Sequence, residues 1–121
     1  MTDWIEKAKR DLDRVPVRLK EGDTEDAAFH LQQAIEKYLK AFLLSKGWQL
    51  KKIHDLEALL DEAVKYKPSF EKFREVCEEI TGYYLAGRYP FPAKGPDKEE
   101  IEISLKKTVD FIGMILDEME G

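Results

Sequence analysis

Asparagine is missing from this chain of 121 residues, cysteine occurs once, and no apolar run approaches the roughly 20 residues of a membrane span. Each scarcity excludes something. Cys77 has no second thiol with which to form an intramolecular disulfide or a thiolate metal site, and it falls on an apolar helical face, so a reducing cytoplasm is the simplest home. The opening MTDWIEKAKR is charged and amphipathic, without an apolar core of signal length. Loss of labile amides beside plentiful Lys and Glu fits a thermophilic source. Basic charge is in deficit: 20 Lys and Arg against 25 Asp and Glu give −5, which argues against a protein that coats nucleic acid generally. Any polyanion site must be local. Nucleotide-cradling glycine loops, metal-ligand spacings and a nucleophile elbow are absent too, so no metal or cofactor is expected.

Period-two alternation is also lacking, and no repeat or low-complexity tract occurs, which leaves helices. The clearest is residues 27–46, AAFHLQQAIEKYLKAFLLSK, a run without Gly or Pro. Ala28, Leu31, Ile35, Leu39 and Phe42 make one apolar stripe at 100° per residue, and Ala27, Ala34 and Ala41 a small-residue stripe beside it. The remaining sector mixes His30, Gln33, Glu36, Lys37 and Lys40 with Phe29, Leu43 and Leu44. That is too apolar for a solvated face, and something is expected to cover it; a second copy of the chain would do so, which predicts a homodimer.

Asp3 and Glu6 suit the start of a first helix that runs on Ile5, Ala8, Leu12, Val15 and Leu19 to about Lys20, kinked near Pro16. Gly22 ends it, and Asp23 or Thr24 caps the central helix, which Gly47 stops. A third, shorter helix carries Leu56, Leu59, Leu60, Ala63 and Val64, with Asp55 in its first turn. A fourth starts at Pro68-Ser69 and buries Phe70, Phe73, Cys77, Ile80 and Tyr84. RYPFPAKGP, with three prolines and a glycine, is a loop. Asp97 and Glu100 box the start of a last helix on Ile101, Leu105, Val109, Ile112, Leu116 and Met119. The expectation is one all-α domain over residues 1–121: an up-and-down antiparallel bundle of four main helices plus a shorter one.

Three segments resemble one family. Gln32, Gln33, Glu36, Lys37, Leu39, Lys40 and Ala41 are similar to the QQAxEKxLKA signature of the HEPN domain, and His54-Asp55-Leu56 and Tyr84 with Arg88-Tyr89-Pro90 resemble its later motifs. Ribonucleases of that family share an Arg-x4–6-His motif. Here no His follows Arg10, Arg14, Arg18, Arg74 or Arg88 at that distance. The resemblance therefore implies the non-catalytic type: a small helical protein, commonly dimeric, partnered with a separate minimal nucleotidyltransferase, sometimes as a toxin–antitoxin-like pair, and proposed to bind nucleotides.

Antiparallel packing brings the end of the central helix, the start of the third and the end of the fourth to one pole. Two acid-free stretches meet there, one from Lys37 to His54 and one from Ile80 to Pro96. Lys37, Lys40, Lys52, His54 and Arg88 are thus candidates for holding the phosphate of a nucleotide or RNA, with Tyr84 and Tyr89 placed to stack a base. The alternative is a solvated lysine patch, with the aromatics, Trp48, Tyr83 and Phe91 among them, closing the bundle end or meeting a partner. A metal-independent ribonuclease built on Arg88, His54 and Tyr84, and a purely structural adapter, are the competing readings. His30, at the opposite pole, reads as a packing histidine with a satisfied nitrogen.

Overall fold

The computed structural model describes residues 2–88 and 96–120, the side chains of Thr2 and Arg88 excepted. Five α-helices follow in order: α1 (Thr2–Lys20), α2 (Thr24–Ser45), α3 (Leu56–Tyr66), α4 (Arg74–Arg88) and α5 (Lys98–Glu120), with one 3-10 segment, Pro68–Phe73, between α3 and α4. The fold is all-α, as the periodicity predicts.

The turns are set by two glycines. Gly22 and Gly47 have φ of +80° and +87°, a region in which a Cβ would be strained. Each closes a helix with the same pair of bonds: Gly22 N to Leu19 O (3.1 Å) and Asp23 N to Arg18 O (2.9 Å) after α1, Gly47 N to Leu44 O (3.1 Å) and Trp48 N to Leu43 O (3.0 Å) after α2. These Schellman closures satisfy carbonyls that would otherwise be orphaned at the helix ends. Asp23 then caps α2 by accepting from Asp26 N at 3.0 Å.

α2 packs against every other helix, whereas α1 packs extensively on α2 alone. All eight residues of the two expected stripes are buried, and so are Leu43 and Tyr38, so this helix is enclosed nearly all round. The core continues through a file of rings: Phe42 against Phe70 (5.1 Å between centroids), Phe70 against Phe111 (5.3 Å), and Phe111 stacked on Phe73 (4.4 Å). Edge-to-face and offset contacts of this kind add to the area the rings bury.

Four local expectations are corrected. α1 already begins at Thr2, so Asp3 lies inside its first turn rather than at the cap. Asp55 is the cap of α3, not a first-turn residue: its carboxylate accepts from Glu57 N at 3.0 Å. Pro68 opens a 3-10 segment, and α4 proper begins only at Arg74. The buried face of α5 is rotated from the apolar count, since Val109 is half exposed while Ser104 and Thr108 are buried. Thr108 Oγ1 donates to the Ser104 carbonyl at 2.8 Å, so a buried hydroxyl is satisfied within the helix and both residues are small enough for close packing. The expected capping box of α5 holds on one side, Glu100 N to Asp97 Oδ1 at 2.8 Å.

Candidate functional site

A file of polar side chains runs up one side of α2. Gln32, Glu36 and Lys40, spaced four residues apart on one helical face, are each less than 5% exposed. Burying an ion pair costs free energy unless its remaining hydrogen-bonding positions are filled. Here those of the carboxylate are filled: Lys40 Nζ meets Glu36 Oε2 at 3.1 Å, His54 Nδ1 meets the same oxygen at 3.1 Å, and Gln32 Nε2 donates to Glu36 Oε1 at 3.3 Å and to the His54 carbonyl at 3.2 Å. The Lys40 ammonium also lies 5.6 Å from the centre of the Trp4 ring on α1. One carboxylate thus gathers α2 and the strap that leads into α3.

Above this file a cleft of about 470 Å³ opens to solvent, lined by Phe29, Gln32, Gln33, Glu36, His54 and Tyr84. The Phe29 and Tyr84 rings, stacked with their planes 28° from parallel and centroids 6.1 Å apart, form an apolar wall between α2 and α4. His54 stands at the rim with its side chain 75% exposed. With Nδ1 turned to Glu36, its Nε2 is the ring nitrogen left for a ligand. Gln33 Nε2 donates to Gln32 Oε1 at 2.7 Å.

A second buried cluster lies where α1 crosses α2. Asp11, 4% exposed, accepts from His30 Nδ1 at 2.8 Å and is ion-paired with Lys37. His30 Nε2 faces Asp26 Oδ2 at 3.3 Å, and Asp26 in turn pairs with Arg18 at 2.8 Å. His30 is the satisfied packing histidine that its position predicts.

The basic candidates therefore part company. Lys40 and His54 converge on Glu36, Lys37 faces the other way to Asp11, and Lys52 is exposed in the strap. Lys46 and Lys51 lie across the rings of Phe42 (5.6 Å) and Trp48 (5.9 Å). Tyr84 lines the cleft, and Tyr83 and Trp48 are half-buried against the core. Arg88 ends α4, but its side chain, Tyr89 and Phe91 lie outside the described residues. Asp55 already fills the donor end of α3, so oriented backbone amides there are partly taken. Of the three residues read as outward and apolar, Leu43 is buried inside the monomer, whereas Phe29 and Leu44 are only partly covered, Phe29 lining the cleft. The cleft's central groups, Gln32, Gln33 and Glu36, were not candidates from sequence. The signal for two of them was present: a Gln–Glu–Lys file at four-residue spacing embedded in apolar neighbours.

Among the described residues no group of three or more His, Cys, Asp or Glu side chains could hold a metal ion, and no helix is long and apolar enough to cross a membrane. The Cys77 thiol is buried, and burial pushes its pKa up to about 12. No curated protein and no solved structure matches the chain. The family model described as the HEPN domain matches residues 1–119. With that match spanning both the α2 file and the His54 strap, the chain belongs to the HEPN domain family.

Proposed function

We propose that this chain is a non-catalytic HEPN binding module that holds a nucleotide or a segment of RNA at the α2–α4 pole and works beside a minimal nucleotidyltransferase, in a toxin–antitoxin-like pair. The observation that carries the binding is the cleft: two aromatic rings, two amides and a rim imidazole converge on one solvent-open cavity, a composition suited to a flat polar ligand. Lys52 and Arg88 are the cations proposed to meet its phosphate, and Tyr89 a further stacking ring. Absence of the Arg-x4–6-His motif supports the non-catalytic reading. Homodimer formation belongs to the same proposal. Its support is now a different set of residues, the exposed Leu85 of α4 and Ile103 and Val109 of α5. Titration of ATP and short RNA into the purified chain by calorimetry tests the binding, and sedimentation at micromolar concentration tests the dimer. No heat with either ligand, or a 14.1 kDa species, overturns the respective part.

One observation favours a second reading, a metal-independent ribonuclease. A buried carboxylate that fixes Nδ1 and leaves Nε2 outward is the disposition of an acid–base histidine. Incubation with labelled RNA in EDTA separates the two, cleavage lost in His54→Gln being the signature of the enzyme.

A further inference from the structure

The amide orientations in the cleft follow from the network itself. Gln32 Nε2 meets two groups that can only accept, the Glu36 carboxylate and the His54 carbonyl, so both of its N–H groups are committed. Its Oε1 must therefore face the other way. There it meets Gln33 Nε2 at 2.7 Å, which makes Gln33 the donor and fixes the second amide as well. Gln33 is left with one N–H and its Oε1, and among the described residues neither has a partner. A half-exposed amide, held by its neighbour and lining a cleft, offers a ligand a donor and an acceptor side by side.

That pattern complements the hydrogen-bonding edge of a nucleobase, which also sets a donor beside an acceptor. The walls agree, since Phe29 and Tyr84 supply a face on which a flat ring can lie. The floor argues against the opposite orientation of a nucleotide. Its one formal anion is Glu36, and the cations nearest it, Lys40 and, when protonated, His54, are turned to that carboxylate. Among the described residues, a phosphate pushed in would meet like charge with no uncommitted cation lining the cleft.

We infer that the Phe29–Gln33–Tyr84 cleft is a base subsite: the heterocycle enters, paired with the Gln33 amide and lying on the rings, and the phosphate stays outside the rim. This deepens the nucleotide reading proposed above and rests on it. The shared donor–acceptor edge of the bases means that Gln33 recognises the class, not one member.

The test is calorimetric titration of the full chain with the four ribonucleosides, their 5′-monophosphates and inorganic tripolyphosphate, for the native sequence, Gln33→Leu, Gln33→Glu and Phe29→Ala. At least one nucleoside is expected to bind without any phosphate. Gln33→Leu should weaken it and its monophosphate alike, by about fivefold or more, and leave tripolyphosphate unchanged. Phe29→Ala should weaken both by roughly 5- to 150-fold through lost stacking. Gln33→Glu, which keeps the size but offers only acceptors, should shift preference toward guanosine, whose N1–H and N2–H face a carboxylate; circular dichroism on each variant separates lost binding from lost folding. If nucleotides and tripolyphosphate bind, nucleosides do not, and Gln33→Leu has no effect, the base subsite is wrong and phosphate binding at the pole stands. If nothing in the panel binds the native chain, both readings fall.

Discussion

The carboxylate of Asp11 on α1 is shared by two side chains of α2 that lie two turns apart, His30, whose Nδ1 is 2.8 Å away, and Lys37. The pair fixes how far α1 slides along α2, because only one register brings a single acid between positions seven residues apart. Asp11→Ala should therefore destabilise the fold by about 1–3 kcal/mol through a stranded imidazole donor, while Lys37 turns to solvent. Asp11→Asn, which keeps an acceptor, should lose less. Urea titration at neutral pH measures both, and equal stability of Asp11→Ala and the native chain would mean that the contact contributes nothing net.

Glu36 and Lys40 make a sharper case. Lys40→Met should cost about 3–5 kcal/mol, since it leaves a buried carboxylate with only His54 and an amide for company. Adding Glu36→Leu should recover most of that loss, the double variant being an apolar file of similar volume. The outcome to look for in denaturation is a double variant more stable than Lys40→Met alone.

Cys77 gives the chain a defined alkaline slope. Its thiol rises to about 12 on burial, so the unfolded chain sheds this proton first as pH rises and holds fewer protons than the folded one. Stability should then be insensitive to this group below about pH 8.5 and fall by up to roughly 1.4 kcal/mol per pH unit above it, levelling off beyond the folded value. Burial also raises the phenols of Tyr38 and Tyr83, which act in the same direction at higher pH. Cys77→Ala should flatten the profile between pH 9 and 10, roughly the window below the ordinary phenol range, as followed by urea midpoints. The native thiol should resist alkylation until the chain unfolds.

Gly82 in α4 and Gly113 in α5 sit inside helices with open space where a Cβ would go. Replacing either by Ala should stabilise the monomer by about 0.5–1 kcal/mol, read as a rise in melting temperature. Gly47→Ala meets equally open space yet must hold φ near +87°, so it should lower the melting temperature instead.

Period and punctuation were enough to place α2 and the turns that flank it, because Ala28, Leu31, Ile35, Leu39 and Phe42 repeat at one spacing and Gly22 and Gly47 stand where a left-handed residue is needed. They were not enough to say where charges point. Lys37 and Lys40 lie three residues apart in a stretch without acids, yet Lys40 pairs one turn back with Glu36 on its own helix while Lys37 faces Asp11 on α1, a partner set by packing and not by neighbourhood in sequence. The same holds for Ser104 and Thr108, whose burial a hydropathy count assigns to Val109. The cleft escaped notice for a related reason: its central groups are two glutamines and a glutamate, types that a search for phosphate ligands passes over.

The attachment of α1 has a dynamic consequence. α2 touches all four other helices and cannot open without dismantling the core, whereas α1 has one extensive neighbour and leaves if that single interface parts. Amide hydrogens of α1 should accordingly exchange through a partial opening of lower free energy than global unfolding, and those of α2 only when the whole chain unfolds. Such an opening carries Trp4 away from Lys40 and Asp11 away from His30 and Lys37. The slowest-exchanging amides should therefore map to the middle of α2, and the first to lose protection at low denaturant to α1.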